Sequence, residues 1–412
     1  MPVLGETLHE LWRDLRAQKL RTALSLLGIA WGTLATVLLL AFSFGFEELF
    51  AERARGLGDA VAIGWPSRTT LPARGLPAGR LLTIDRRDVL AIATEVPSLQ
   101  AISAEYAITE RVRLGGTVHR VPLSGVDPEF AMLRSLQPAA GGRFPNARDS
   151  ELRARVVFLG DALSKTLFPL QDPLGRTVTL RGLTFTVVGV LQSKLQDSDY
   201  GGEDKDRAWI PATTFLAVFG QRGISDFVFR ARDATRQEQC TTSVIAAFAR
   251  RLQFDPADRG ALSLWDTTEQ SRMLGFIFLG FHTMLGIGGV FTLVVGGLGI
   301  AHLMQLMVRR RTVEIGLKLA VGAEPARVRN EWLVQALALV LTGAGGGLLL
   351  ALAAIAAVRS SPVTKDVGMP FVPLPLAIAT AALLAGIAFV AGYLPARAAS
   401  RLDPVEALRG GA

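Results

Sequence analysis

Cysteine is almost absent from this 412-residue chain: Cys240 stands alone. One cysteine forms no internal disulfide. The four histidines, His9, His119, His282 and His302, are too scattered to give the Cys/His spacing of a zinc site. Charge is scarce too, at 19%, where an ordinary soluble chain carries roughly 25%. Three catalytic signatures are missing from these residues: H-E-x-x-H, G-x-S-x-G and G-x-x-x-x-G-K-[ST]. Their absence removes the zinc-peptidase helix, the nucleophile elbow and the backbone cradle for nucleotide phosphates. No tract interleaves aromatic with basic residues, so a single-strand nucleic-acid groove is excluded as well.

What is present is apolar and unevenly placed. Hydrophobic residues make up 50% of the chain, concentrated in long uncharged stretches. The formal net charge of +8 resembles a polyanion-binding signal until it is divided. Residues 47–272 hold 29 Lys+Arg and 27 Asp+Glu, a net of +2; the remainder hold 15 and 9, a net of +6. The basic excess therefore flanks the apolar runs, where it orients a membrane protein.

A spanning helix needs roughly 20 apolar residues. Four stretches qualify: Thr22–Phe46, Met273–Val308, Trp332–Val358 and Val367–Ala396. Pro370, Pro373 and Pro375 crowd the start of the last, so its helix is placed from Pro375. The apolar run of the first exceeds a signal-peptide core and reads as an uncleaved anchor. The second is longer than a span requires, and Arg309, Arg310 and Arg311 fix its far end at a membrane surface. Its surplus, near Met273–Phe281, is expected to form a stalk, joined by Glu47–Gly56. The resulting division is 1–21 amphipathic surface helix, 22–46 first span, 47–272 extracytoplasmic domain and 273–308 stalk and second span. It continues with 309–331 cytoplasmic loop, 332–358 third span, 359–374 short outer loop, 375–396 fourth span and 397–412 cytoplasmic tail.

Lysine and arginine in the short loops set the orientation. Arg13, Arg16, Lys19 and Arg21 precede the first span; Arg309, Arg310, Arg311, Lys318, Arg327 and Arg329 lie between the second and third; Arg397, Arg401 and Arg409 follow the fourth. Only Arg359 and Lys365 occupy the opposite short loop. Both termini are thus expected in the cytoplasm and 47–272 outside it. In Gly5–Leu20, Leu8, Leu11, Trp12 and Leu15 recur at helical spacing, as in a helix lying on a membrane or packed on protein.

Within 47–272, Arg155–Leu159, Arg176–Leu180, Leu183–Leu191 and Asp226–Arg230 read as strands. Thr83 is placed to cap a helix through Val96, Asp161 to open Ala162–Phe168, and Thr235–Leu252 carries a helical apolar stripe. An α+β domain of one or two lobes follows, with Gly64–Arg80 as an irregular loop. Asp197, Asp199, Glu203, Asp204 and Asp206 cluster without EF-hand spacing and read as a solvated loop.

The segment Val308–Glu331 carries a short apolar element rimmed by Glu314 and Lys318, then Gly322 as a helix stop. It reads as a docking element on the cytoplasmic face or as a simple interfacial turn. Gly289, Gly296 and Gly297 in the second span, with Gly343 and Gly347 in the third, allow close helix approach. Packing within one chain and packing between two remain equal alternatives for them.

Four segments resemble one family, the MacB-type (FtsX-like) ABC transporter permeases. Arg311–Ala323 (RTVEIGLKLAVGA) is similar to its RTREIGIRKALGA loop, and Gly392–Arg409 (GYLPARAASRLDPVEALR) to its GxxPARRAARLDPVEALR tail. GGRF, VVFLG, TLF, DPLGRTV and FTVVGV within Gly141–Lys194 follow the outer-domain pattern, and LRAQKLRTALSLLGIAWG the N-terminal one. Val313 and Leu317-Lys318-Leu319 depart from the more charged family pattern, which bears on the choice of ATPase partner.

The resemblance implies an α-helical membrane domain with four transmembrane helices and a large α+β extracytoplasmic domain inserted between helices 1 and 2. It implies a dimer, homo- or heteromeric, in a bacterial inner membrane, with ATP and Mg in a separate ABC ATPase subunit. A periplasmic adaptor or outer-membrane channel is compatible with it. Arg311, Glu314, Gly316, Lys318, Gly322 and Ala323 become ATPase-coupling positions. Mechanotransmission would expel an amphiphile, peptide or lipoprotein; the alternative is an FtsX-like regulator of a cell-wall enzyme. A membrane-anchored enzyme would require a catalytic motif that these residues lack.

Overall fold

The computed structural model describes residues 19–58, 60–114, 117–196 and 200–401. The expected surface helix before Lys19, the tail beyond Arg401, and Asp197 and Asp199 lie outside them. The chain divides into a helical unit, 1–49 with 276–412, and a β-rich unit, 50–275.

Helix α1 runs Lys19–Arg55. The β-rich unit is built from β1 (Ala62–Pro66), α2 (Arg86–Glu95), β2 (Leu99–Leu114), β3 (Thr117–Val126) and α3 (Phe130–Leu133). There follow α4 (Ala147–Glu151), β4 (Val156–Leu159), α5 (Asp161–Leu167), β5 (Thr177–Leu180) and β6 (Leu183–Val190). β7 (Ala208–Pro211), α6 (Ala212–Phe219), β8 (Asp226–Ala231), α7 (Gln237–Leu252) and β9 (Leu262–Asp266) complete it.

The nine strands among the described residues share one sheet, in the order β3-β7-β4-β6-β5-β2-β8-β1-β9. β2 also pairs antiparallel with β3, so six strands close a circuit and β8, β1 and β9 extend from it. Long β2 makes this possible: Leu99–Glu105 pairs with β8, and Glu105–Leu114 with β3. Glu105 stands at the branch. Successive residues of a strand face opposite sides, and both sides are buried here. Phe227 and Phe229 join one core with Tyr106, Phe185 and Phe248. Val228, between them, joins the other with Leu57, Ile63, Phe130 and Trp209.

Several expectations change. The start of the supposed loop Gly64–Arg80 is strand β1; Gly64 lies opposite Phe227, whose ring fills the space a Cβ would need. Asp85, not Thr83, caps α2, sharing a capping box with Asp88. β2, β3, β7 and β9 were not anticipated. β2 reads LQAISAEYAITERVRL, mixing polar residues onto both faces, and periodicity alone could not register it.

In the helical unit, α8 (Thr267–Arg310), α9 (Thr312–Ala320), α10 (Pro325–Arg359), α11 (Thr364–Val367) and α12 (Leu374–Ser400) follow. α1, α8, α10 and α12 are each long and apolar enough to cross a membrane. All extend past the uncharged stretches: α8 begins ahead of Met273, and α12 continues past Ala396 to Ser400. Ile29, Ile300, Met304, Trp332, Leu339 and Ala388 belong to the core these helices share.

Candidate functional site

The segment between α8 and α10 folds as the short helix α9. Ile315 and Gly316 are buried, and Ile315 joins a core with Met307, Val308, Val328 and Trp332. The opposite face is apolar and, among the described residues, exposed. Val313, Leu317 and Val321 are 44%, 56% and 82% exposed, one above the next at four-residue intervals. Glu314 and Lys318 flank this ridge, both exposed. Arg311 Nε lies 3.7 Å from Glu314 Oε2, and Lys318 Nζ donates to Glu331 Oε1 of α10 at 3.0 Å.

The helix stop is well defined. Gly322 has φ +95°, Ala323 N–H donates to Lys318 O at 3.0 Å and Gly322 N–H to Leu319 O at 3.1 Å. That is a Schellman arrangement, and the left-handed residue is why glycine stands there. Pro325 then occupies the first turn of α10, where its missing N–H costs nothing. Arg311, Glu314, Gly316, Lys318, Gly322 and Ala323 are thus gathered on one small element. Glu314, Lys318 and Gly322 are exposed, while Gly316 is buried.

The five singled-out glycines all lie against helices of the same chain. A Cβ at Gly289 would strike Thr36, at Gly296 Ile29 and at Gly297 Ile387. At Gly343 it would press on Leu26 O and Ile29, and at Gly347 on the backbone of Ala30. Gly286, Gly288, Gly345 and Gly346 face open space instead. His282 stacks on Phe44 with ring centroids 4.0 Å apart, beside Glu47 at 3.7 Å.

A buried charge cluster in the β-rich unit escaped the sequence reading. Asp204, expected in a solvated loop, is 1% exposed. It pairs with Arg134 Nη2 at 2.9 Å and Lys194 Nζ at 2.8 Å. Burial opposes its ionised form, but these two cations outweigh it and hold its pKa below the usual value. Glu105 accepts from Arg207 at 2.9 Å, Ser124 at 2.6 Å and Tyr200 at 2.8 Å. Burial pushes its pKa up, yet Arg207, Arg134 and these hydrogen bonds hold it low. Asp226 sits directly across the strand pair from Glu105. Burial, then the Glu105 charge, raise its pKa well above the usual carboxylate range. The one available signal was Asp204-Lys205-Asp206-Arg207, whose alternating charges show no partners in sequence.

A helical membrane unit of four spans, a large α+β domain inserted between the first two, and an exposed surface helix between the second and third define a permease-type membrane protein. The chain matches the family described as MacB-like periplasmic core domain over residues 22–247, and FtsX-like permease C-terminal over residues 286–404. It belongs to that MacB-like, FtsX-like family of ABC transporter permeases, and its inserted domain is extracytoplasmic. It is 33% identical over 412 residues to the macrolide export ATP-binding/permease protein MacB of Rhodospirillum rubrum, covering 98% of this chain and 60% of that protein. It is 30% identical over 413 residues to the pyoverdine export ATP-binding/permease protein PvdT of Pseudomonas putida, covering 98% and 60%. The chain thus spans about 60% of the length of these curated relatives. Among solved structures, the periplasmic region of MacB from Actinobacillus actinomycetemcomitans aligns with TM-score 0.43 and 15% identity, covering 54% of this chain and 96% of that one.

Proposed function

We propose that this chain is the permease subunit of an ABC exporter whose ATPase is a separate subunit docking on α9. The exposed ridge Val313, Leu317 and Val321, rimmed by Glu314 and Lys318, carries this reading. Apolar side chains left open beside a rigid helix stop suit a pocket on a partner, and the flanking charges set its register. The partner binds ATP and Mg and hydrolyses the nucleotide. Its closure moves α9, hence α8 and α10, which share a core with it. A dimer of permeases in the inner membrane, with α9 and both termini on the cytoplasmic side, fits this drive. Its cargo is an amphiphile, peptide or lipoprotein; the names of the relatives, which concern macrolide and pyoverdine export, favour transport.

Co-purification from membranes tests the reading. A tagged wild-type chain is expected to bring down an ABC ATPase, and Glu314→Arg or Leu317→Asp to lose it or leave its hydrolysis unresponsive. Absence of any ATPase with the wild type overturns the proposal.

A further inference from the structure

The end of α1 passes into Gly56-Leu57-Gly58, where two glycines give the backbone wide conformational freedom. Gly58 has φ +136°. Yet this segment is fastened on every side. Leu57 is fully buried among Val61, Phe130 and Leu133. Arg134 Nε donates to Leu57 O at 2.7 Å, and Lys194 Nζ donates to Gly56 O at 2.6 Å and to Arg134 O at 2.9 Å. A Cβ at Gly56 would overlap Leu195 O, and one at Gly58 would overlap Leu133 O.

We propose that Arg134 and Lys194, neutralised by Asp204, form a charge-locked cap that makes the last turns of α1 and the β-rich unit one rigid body. Carbonyl groups past a helix end carry partial negative charge and lack helical partners. Buried Arg134 and partly exposed Lys194 satisfy them here, and Asp204 bridges both cations, so the charge is paired. The face of the Tyr200 ring lies 4.5 Å from the Arg134 guanidinium and supports the same charge. Arg207 extends the lock to the sheet: it contacts Glu105 of β2, Ser124 of β3 and the Tyr200 carbonyl. A displacement of the last turns of α1, residues 50–55 of the β-rich unit, is therefore delivered to the sheet rather than lost at the glycines. Lys194 and Arg134 are positioning residues, and their role in transport rests on the exporter reading above.

Hydrogen exchange on the full chain in lipid nanodiscs tests the lock without reference to transport. Lys194→Met is expected to raise exchange in peptides covering 54–58 by about tenfold or more. Peptides from β2 and β8 should keep wild-type protection, and Lys194→Arg should restore the slow exchange. If Lys194→Met does not fold, Lys194→Gln takes its place. Unchanged exchange at 54–58 overturns the lock. In the complex with its ATPase, Lys194→Met should reduce export per ATP several-fold while the hydrolysis rate stays at the wild-type level. Faster exchange with undiminished export per ATP overturns the transmission role. Failure to recover any ATPase counts against the exporter reading alone, because exchange still decides the lock.

Discussion

Asp226 and Glu105 place two buried carboxyl groups opposite each other on β8 and β2. Arg207 bonds Glu105, so the proton is retained by Asp226. Folding raises the pKa of Asp226, so between the unfolded and folded values the folded protein binds a proton that the unfolded chain has released. Stability from this group is present at low pH and lost as pH rises through the folded pKa. Glu105 works in the other direction: its lowered pKa contributes stability above the unfolded value, lost as pH falls. Asp226→Asn should keep the shape and remove this loss, so its unfolding midpoint should fall less with rising pH than that of wild type. Tryptophan-fluorescence unfolding across a pH series checks this; parallel curves would refute it. Neither carboxylate was identifiable from sequence, because only the strand register brings them together.

At the scale of elements, glycines of similar appearance in the spans have opposite roles. Gly347 meets the Ala30 backbone, whereas Gly286 meets nothing within 4 Å. Gly347→Ala forces α1 and α10 apart and should cost about 1–3 kcal/mol, as overpacking does. Gly286→Ala should be neutral or stabilise by up to about 1 kcal/mol, through helix propensity alone. Thermal unfolding of both variants in one detergent checks the contrast. The sequence displays the small residues, but not which side of each helix another helix covers. The strands divide in the same way. β4, β5, β6 and β8 are short and rich in β-branched or aromatic residues, and local pattern finds them. β1 hides behind Gly64, whose space belongs to Phe227.

At the scale of the whole molecule, the exporter proposal and its regulator alternative separate on whether cargo moves. Vesicles holding the chain and its ATPase should export an amphiphilic probe, and Leu317→Asp should abolish that while leaving each subunit folded. Hydrolysis without probe movement, with envelope defects on deletion, would shift the reading to the regulator.

The sequence by itself determined the four spans, the inserted domain and the α9 segment. These depend on runs of like residues and on contiguous motifs, which are local properties. Only the tertiary structure decided that six strands close a circuit and that Asp204 is a buried anion rather than a solvated one. It also decided that a Gly-Leu-Gly exit is clamped. Each depends on groups distant in the chain meeting at hydrogen-bond distance, where desolvation and Coulomb attraction nearly cancel. The sign of that balance is set by three-dimensional neighbours, and residue order does not contain it.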